Sequence, residues 1–269
     1  MDRIQSFDQL LKITESVKGK QNGYLTNFYH NPNKVSLWVK NNMLFYLLIE
    51  DTLFVLKENS TFYSIFYFTT DIVQLSKALS LLRLKLPGNR LIVDIIGNEN
   101  TIKNIESTFT ANSFKPYESL CRMSRANSEK EPNISSNIEY AILEDALSIE
   151  LLLNQYFDPL CEQIPLLEEI IEWIELKHIL VYKEDKIIEG FLIFDLTGVT
   201  SYLRYWFTHP EYRDKKIGSQ LLRRYFFESN LTKRQLFWVI EHNENAIKRY
   251  RHYGFEFENL FDKVLINQP

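Results

Sequence analysis

The sequence predicts an α/β fold built from mixed β-sheets, in two domains of similar design, each a mixed sheet with helices on both faces. Three observations carry this prediction. Apolar, strand-like runs alternate with helical periodicities through both halves of the chain. A polar stretch from Ser124 to Asn137, SRANSEKEPNISSN, is rich in Ser, Asn and charge, carries Pro132, and has the composition of a linker. A segment is then repeated across that linker, GNENTIKNI from Gly97 and HNENAIKRY from His242. Asn98, Glu99, Asn100, Ile102 and Lys103 match Asn243, Glu244, Asn245, Ile247 and Lys248 at an offset of 243 − 98 = 145. The division expected is a first domain at 1–124, a linker at 125–137 and a second domain at 138–269.

The elements follow in order. In the first domain the pattern predicts a helix at 3–17, strands near 43–49, 52–57 and 62–68, a helix at 71–83, a strand at 90–96, a helix at 100–111 and a strand at 115–124. In the second it predicts helical stretches at 144–156 and 165–176. The strands HILVYKE, KIIEGFLIFDL and TSYLRYWFTH come next, then a basic turn and a helix from Gly218 to Ser229. That helix rests on Ile217, Leu221, Leu222, Tyr225 and Phe226, which recur at helical spacing. A strand at 235–241, a helix at 244–252 and a strand near 255–266 complete the set. Each repeated helix follows an apolar run, RLIVDII or QLFWVIE, and ends in a small-residue turn before a Phe, Asn112-Ser113-Phe114 or Tyr253-Gly254-Phe255. The first copy needs about four more residues to reach its Phe.

Composition excludes several function classes. The 269 residues are 45% hydrophobic and 25% charged, as in a soluble globular protein, and the net charge of −4 argues against a general nucleic-acid or membrane-surface protein. Two cysteines, Cys121 and Cys161, form neither a disulfide framework nor a metal-ligand spacing, so no metal is expected and a reducing compartment suits the chain. The opening residues carry an acid and no apolar core of a secretory signal. The longest apolar runs, such as MLFYLLI, fall far short of the roughly 18 residues a membrane helix needs. A cytoplasmic protein is the expectation.

Against this acidic background one basic turn stands out, in FTHPEYRDKKIGSQLL. It opens a helix, whose N-terminus offers unpaired backbone N–H groups and the positive end of the helix dipole, and Gly218 removes a side chain where a ligand approaches closely. Such an end binds a pyrophosphate without a metal. An exposed surface turn is the other reading of the same residues. The segment resembles the acyl-CoA-binding stretch of the GNAT superfamily of N-acetyltransferases, in which Arg or Gln, two residues, Gly, one residue, and Gly or Ala follow a strand ending in Val-x-Pro. Arg213 and Gly218 match, Thr208 and Pro210 stand at the strand end, and Lys216 replaces the first Gly. The later stretch NENAIKRYRHYGFEF resembles the family's second signature through Asn243, Ala246, Tyr250, Gly254 and Phe255. The resemblance covers about residues 138–267.

The resemblance implies an N-acetyltransferase that moves an acetyl or other acyl group from acetyl-CoA, as co-substrate, to a primary amine. It implies that Phe207, Thr208 and adjacent backbone hold the pantetheine and thioester. Arg213, Asp214, Lys215, Lys216, Ile217, Gly218 and Ser219 would surround the pyrophosphate, and Asn243 would bond near the pantetheine arm. Tyr250 would protonate the departing thiolate, a step that suits a phenol of pKa about 10 beside a thiol of pKa about 8.5. The attacking amine must be neutral, so a base or water chain is needed; Glu241 and His242 at the strand end and His209 beside the turn are candidates, with Glu241 taken as the second catalytic residue.

From Glu139 to Glu175 there are ten acids and no Lys or Arg. They read either as a border that attracts a cationic amine or as solvated helix faces. Tyr202, Tyr205 and Trp206 line an acceptor pocket or pack within their strand. The first domain has no basic turn and has Ile105 at the position of Tyr250 (250 − 145 = 105), so it reads as a degenerate copy without cofactor binding. A small-molecule or peptide amine is the expected partner, with no nucleic acid and no membrane. The alternatives are a non-catalytic acyl-CoA-binding regulatory module, suggested by Lys216, and an aminoacyl-tRNA-dependent transferase, suggested by the tandem arrangement.

Overall fold

The computed structural model describes residues 1–17, 24–29, 31–127 and 137–268, so most of the expected linker, 128–136, lies outside the described residues. The chain divides into two compact units, residues 1–120 with 259–269, and residues 121–258. Residues 259–269 thus join the first unit, although they follow the second in sequence. Linker composition shows where the chain is polar, not which sheet a later strand enters.

The first unit contains β1 (Asp2–Arg3), α1 (Phe7–Val17), β2 (Leu25–Thr26), α2 (Pro32–Lys40), β3 (Leu44–Ile49), β4 (Thr52–Glu58), β5 (Tyr63–Thr69), α3 (Ile72–Lys85), β6 (Leu91–Gly97), α4 (Glu99–Ala111) and the start of β7 (Lys115–Ala126). Helix α2 was missed from sequence, although Asn31, whose side chain accepts the Lys34 N–H, and Pro32 at the first helical position form a legible start signal. Leu75, Leu79 and Leu82 of α3 and Phe109 of α4 pack on Phe54, Ile65, Val93 and Ile95 of the sheet. The final strand supplies Phe261 to Asn267, antiparallel to Gly97 to Leu91 of β6.

Strands β5 and β6 run parallel but pair only at Tyr63–Leu91 and Ser64–Ile92. Because β4 occupies the other edge of β5 from Thr52 to Glu58, the short strand β2, paired with Thr69 and Phe68, stands on the side facing β6. Beside it the Asn27 amide donates to the carbonyls of Ile65 in β5 and Asp94 in β6, and its Oδ1 accepts the Tyr67 N–H. Asn27 is buried. The gap between the parallel strands of this unit is therefore filled by the unit's own chain, and the backbone groups it would orphan are satisfied.

The second unit contains the end of β7, β8 (Ile138–Tyr140), α5 (Ala146–Tyr156), α6 (Leu167–Glu175), β9 (Ile179–Glu184), β10 (Ile187–Thr197), β11 (Thr200–Thr208), α7 (Ile217–Glu228), β12 (Arg234–Ile240), α8 (Glu244–His252) and the start of β13 (Glu256–Asn267). Strands lie in the order β7-β12-β11-β10-β9-β8. Ile149 and Leu153 of α5 and Ile170 of α6 cover one face with Val181, Phe191, Ile193, Tyr205 and Phe207. On the other face Phe194 meets Tyr225 of α7, with ring centroids 5.5 Å apart, and Phe237 of β12 lies 4.0 Å from Tyr250 of α8. The period of two along β11 thus sends Tyr205 and Phe207 one way and Trp206 and Thr208 the other.

The repeated segment now has a physical meaning. Asn98 and Asn243 are both helix N-caps, accepting the N–H of Thr101 and Ala246. Glu99 and Glu244 follow in the first turn, at the positive end of the dipole. Both helices end with a residue of positive φ, Ser113 at 68° and Gly254 at 80°, before the buried Phe114 or Phe255. Helix α4 is 13 residues long against 9 for α8, which accounts for the longer spacing in the first copy.

Candidate active site

The site begins where β11 and β12 part. They run parallel and pair only from Thr200–Arg234 to Tyr202–Leu236, after which both strands continue, to Thr208 and Ile240. On one face of this gap the Tyr250 ring packs on Phe237 of β12 at 4.0 Å and on Trp206 of β11 at 5.5 Å, with Phe255 at 6.2 Å. Trp206 and Phe237 both lie past the end of the pairing, so Tyr250 bridges the opened strands. Burial pushes its phenol well above the ordinary value; Arg249 pulls it down and Glu162 pushes it up. The phenol is therefore protonated at neutral pH and able to donate.

At the end of β11 the chain turns through a 3₁₀ segment, Pro210–Lys215, into α7. Arg213, Asp214 and Lys216 are exposed there. Ile217 is fully buried and seats the helix: a Cβ on Gly190 would lie 2.8 Å from Ile217 Cγ2 and 3.0 Å from the Phe207 carbonyl. Gly218 serves a second close approach, because its absent Cβ would stand 3.1 Å from Thr208 Oγ1 and 3.2 Å from Trp206 Cζ2. The Trp206 indole N–H donates to the Gly218 carbonyl at 3.1 Å. The glycine thus fits the helix to the strand, while Ile217, Gly218 and Ser219 carry first-turn N–H groups for which a helix has no internal acceptor.

Two predicted contacts have other employment in the structure. The Lys215 ammonium bonds Glu184 at 2.6 Å and the buried Glu189 at 2.8 and 3.0 Å. Both carboxylates hold it charged, well above its ordinary pKa, and it ties the turn to β9 and β10. Phe207 turns its ring into the α5–α6 layer, 5.1 Å from Phe191 and 4.9 Å from Tyr156, leaving only its backbone to the gap. Asn243 gives Oδ1 to the α8 cap. Lys216 adopts φ 57° and ψ 24°, the left-handed region, which explains a glycine preference at this position. Glu241 and His242 sit exposed on the turn between β12 and α8. His209 bonds the Tyr156 hydroxyl through Nε2 at 3.0 Å.

On the opposite face of the gap, the segment between α5 and α6 lies over β11. The Tyr205 hydroxyl donates to the Gln163 carbonyl, and Phe157 stacks edge-on against Tyr205 at 5.3 Å. Asp158 organises the segment: its carboxylate accepts the Leu160 N–H, and its own N–H donates to Glu162 Oε2, both at 2.9 Å. Two further acids of the region are structural, Asp145 on Lys183 at 3.0 Å and Glu169 capping the Leu166 N–H. Glu168, Glu172 and Glu175 are exposed on α6. Sequence reading missed Gly190 and Glu189; only the glycine within an apolar strand carried a signal, that of a close backbone approach.

Among the described residues no helix is long and apolar enough to cross a membrane. Residues 175–257 match the model of the acetyltransferase (GNAT) domain. No curated protein matches the chain. Similar solved structures include a GCN5-related N-acetyltransferase from Sphaerobacter thermophilus, with TM-score 0.60 and 10% identity over 81% of this chain and 77% of that one. An acetyltransferase from the GNAT family of Colwellia psychrerythraea has TM-score 0.56 and 13% identity over 100% and 99%. A tandem GNAT protein from the clavulanic acid biosynthesis pathway has TM-score 0.55 and 11% identity over 81% and 78%. At these identities the structures speak for the fold, and the matched segment holds both the helix-opening turn and the bridging tyrosine. Residues 175–257 thus carry a GNAT acetyltransferase domain, and the chain has the fold of two GNAT-like domains.

Proposed function

We propose that the second unit transfers an acetyl group from acetyl-CoA to a primary amine, with Tyr250 as the acid for the leaving thiolate. The observation that carries this reading is the gap between β11 and β12, bridged on one face by Tyr250 and ending at the first turn of α7. An extended amide-bearing arm would satisfy strand backbone beyond Tyr202 and Leu236 as a neighbouring strand does. The α7 amides, Arg213 and Lys216 would meet a pyrophosphate. The residues suit that ligand in sign and geometry, with Lys215 acting through the turn it braces.

The chain's own residues then have separate tasks. The α7 end and the strand edges bind and orient the thioester, lowering the entropy cost of attack. Tyr250, kept protonated by burial, gives its proton to the thiolate sulfur as the C–S bond breaks. The first unit takes no part in binding acetyl-CoA, its equivalent gap being filled by β2 and Asn27. Thiol release from acetyl-CoA, measured across alkyl amines, amino sugars and lysine peptides, tests the reading. Amine-dependent release that falls about 10²-fold or more in Tyr250→Phe is expected; a chain that binds acetyl-CoA and acetylates none of them is a binding module.

A further inference from the structure

The proposed reaction leaves one proton without a receiver, the one the amine nitrogen sheds as it is acylated. Glu241 and His242 are exposed on the turn after β12, on a different element from the aromatic layer that lines the gap. His209 is engaged by Tyr156 at the far end of β11. The face of the gap opposite Tyr250 is covered by the α5–α6 segment, and that segment is anchored: Gln163 is held by the Tyr205 hydroxyl, and Phe157 packs on the Tyr205 ring. Tyr205 and Trp206 are neighbours in β11, one facing this segment and the other facing Tyr250.

Glu162 immediately precedes the anchored Gln163, and the Asp158 N–H orients its carboxylate through Oε2. We propose that Glu162 is the acceptor-side catalytic residue, taking the proton from the amine across the gap from Tyr250. The assignment rests on the proposed acetyl transfer. A neutral primary amine forms the C–N bond to the thioester carbonyl carbon while the C–S bond breaks; Glu162 takes the proton shed by nitrogen, and Tyr250 protonates the sulfur. Proton return from Glu162 through water restores the phenol, so the cycle yields one amide and one thiol. Burial raises the pKa of both Tyr205 beneath the segment and Tyr250 on the other face of the gap, and the negative charge of Glu162 raises each further. No Lys or Arg occurs from 139 to 175 to repel a cationic acceptor.

The test uses Glu162→Gln, which keeps an oxygen for the Asp158 N–H and removes the base. With acetyl-CoA and 1,4-diaminobutane, glucosamine or Nα-acetyl-lysine amide as acceptors, kcat should fall about 10²–10⁴-fold. The acetyl-CoA dissociation constant and the melting temperature should stay at wild-type values, and Glu162→Asp should recover part of the rate. Wild-type kcat in Glu162→Gln would overturn this assignment and leave the acetyl-transfer reading standing. Parallel loss of acetyl-CoA binding and stability would also overturn it, making Glu162 a brace of the segment. A wild-type chain that binds acetyl-CoA but acetylates none of the three would overturn both.

Discussion

Adding one methyl group at Gly190 tests whether close packing of α7 on the sheet sets up the binding turn. The new Cβ would lie 2.8 Å from Ile217 Cγ2, 3.0 Å from the Phe207 carbonyl oxygen and 3.2 Å from Leu221 Cδ1. Ile217 and Leu221 are fully buried and the carbonyl belongs to β11, so the strain cannot be relieved by swinging a free side-chain end. Overpacking of this kind costs about 1–3 kcal/mol. For a unit of 258 − 121 + 1 = 138 residues, each kcal/mol shifts the melting temperature by roughly 4 °C, giving a fall of about 4–12 °C in Gly190→Ala. The relief available is for α7 to lift from β10 at its first turn, which also moves the Gly218 and Ser219 amides. Acetyl-CoA affinity should therefore weaken, by about tenfold if 1.4 kcal/mol of contact is lost. Differential scanning fluorimetry and calorimetric titration read the two effects. A variant that melts at the wild-type temperature and binds acetyl-CoA as tightly refutes the packing argument.

Three further predictions rest on separate residues. Lys216→Gly removes a left-handed side-chain residue whose strain is about 1–2 kcal/mol and adds chain entropy worth about 0.5–1 kcal/mol, so the melting temperature should rise by a few degrees. A drop on the same scan would show that the Lys216 side chain stabilises the turn. Because burial raises the Tyr250 phenol, the proton donor is retained as pH rises, and any alkaline fall in kcat due to its ionisation should lie above pH 10. A Tyr250-dependent fall centred below pH 9 would contradict this. In the first unit, burial and the nearby Asp94 raise the Asp262 carboxyl well above its ordinary value, and its buried Oδ1 lacks a hydrogen-bond partner. A raised folded-state acid contributes stability below its unfolded pKa of about 3.9 and loses it as pH climbs. Asp262→Asn should therefore melt higher than wild type at pH 7, with the gain gone below about pH 4, as thermal scans across pH will show.

Much of the second unit was legible because its signals are local. Helix α8 was placed at its observed limits by an N-cap Asn and a C-terminal Gly, and α7 by apolar spacing from Ile217 to Phe226. The repeat was legible for the same reason, since its matched residues build helix ends in both copies. What sequence could not supply was long-range. Lys215 looks like a phosphate contact until Glu189, 26 residues earlier, is seen beneath it. The destination of the last strand depends on pairing with β6, far back in the chain. The filling of the first unit's gap depends on one asparagine reaching two strands 38 and 67 residues away. Tyr250 was singled out by motif, but its ring partners Trp206 and Phe237 emerge only when β11 and β12 part.

Calorimetric titration of the full chain with acetyl-CoA tests the central claim most directly, because the two units differ in one respect that it counts. The open gap of the second unit, leading to the α7 turn, should take one acetyl-CoA per chain, while the first unit, its gap closed by β2 and Asn27, takes none. A stoichiometry of one is the predicted result. Two molecules per chain, or no binding at all, would contradict it.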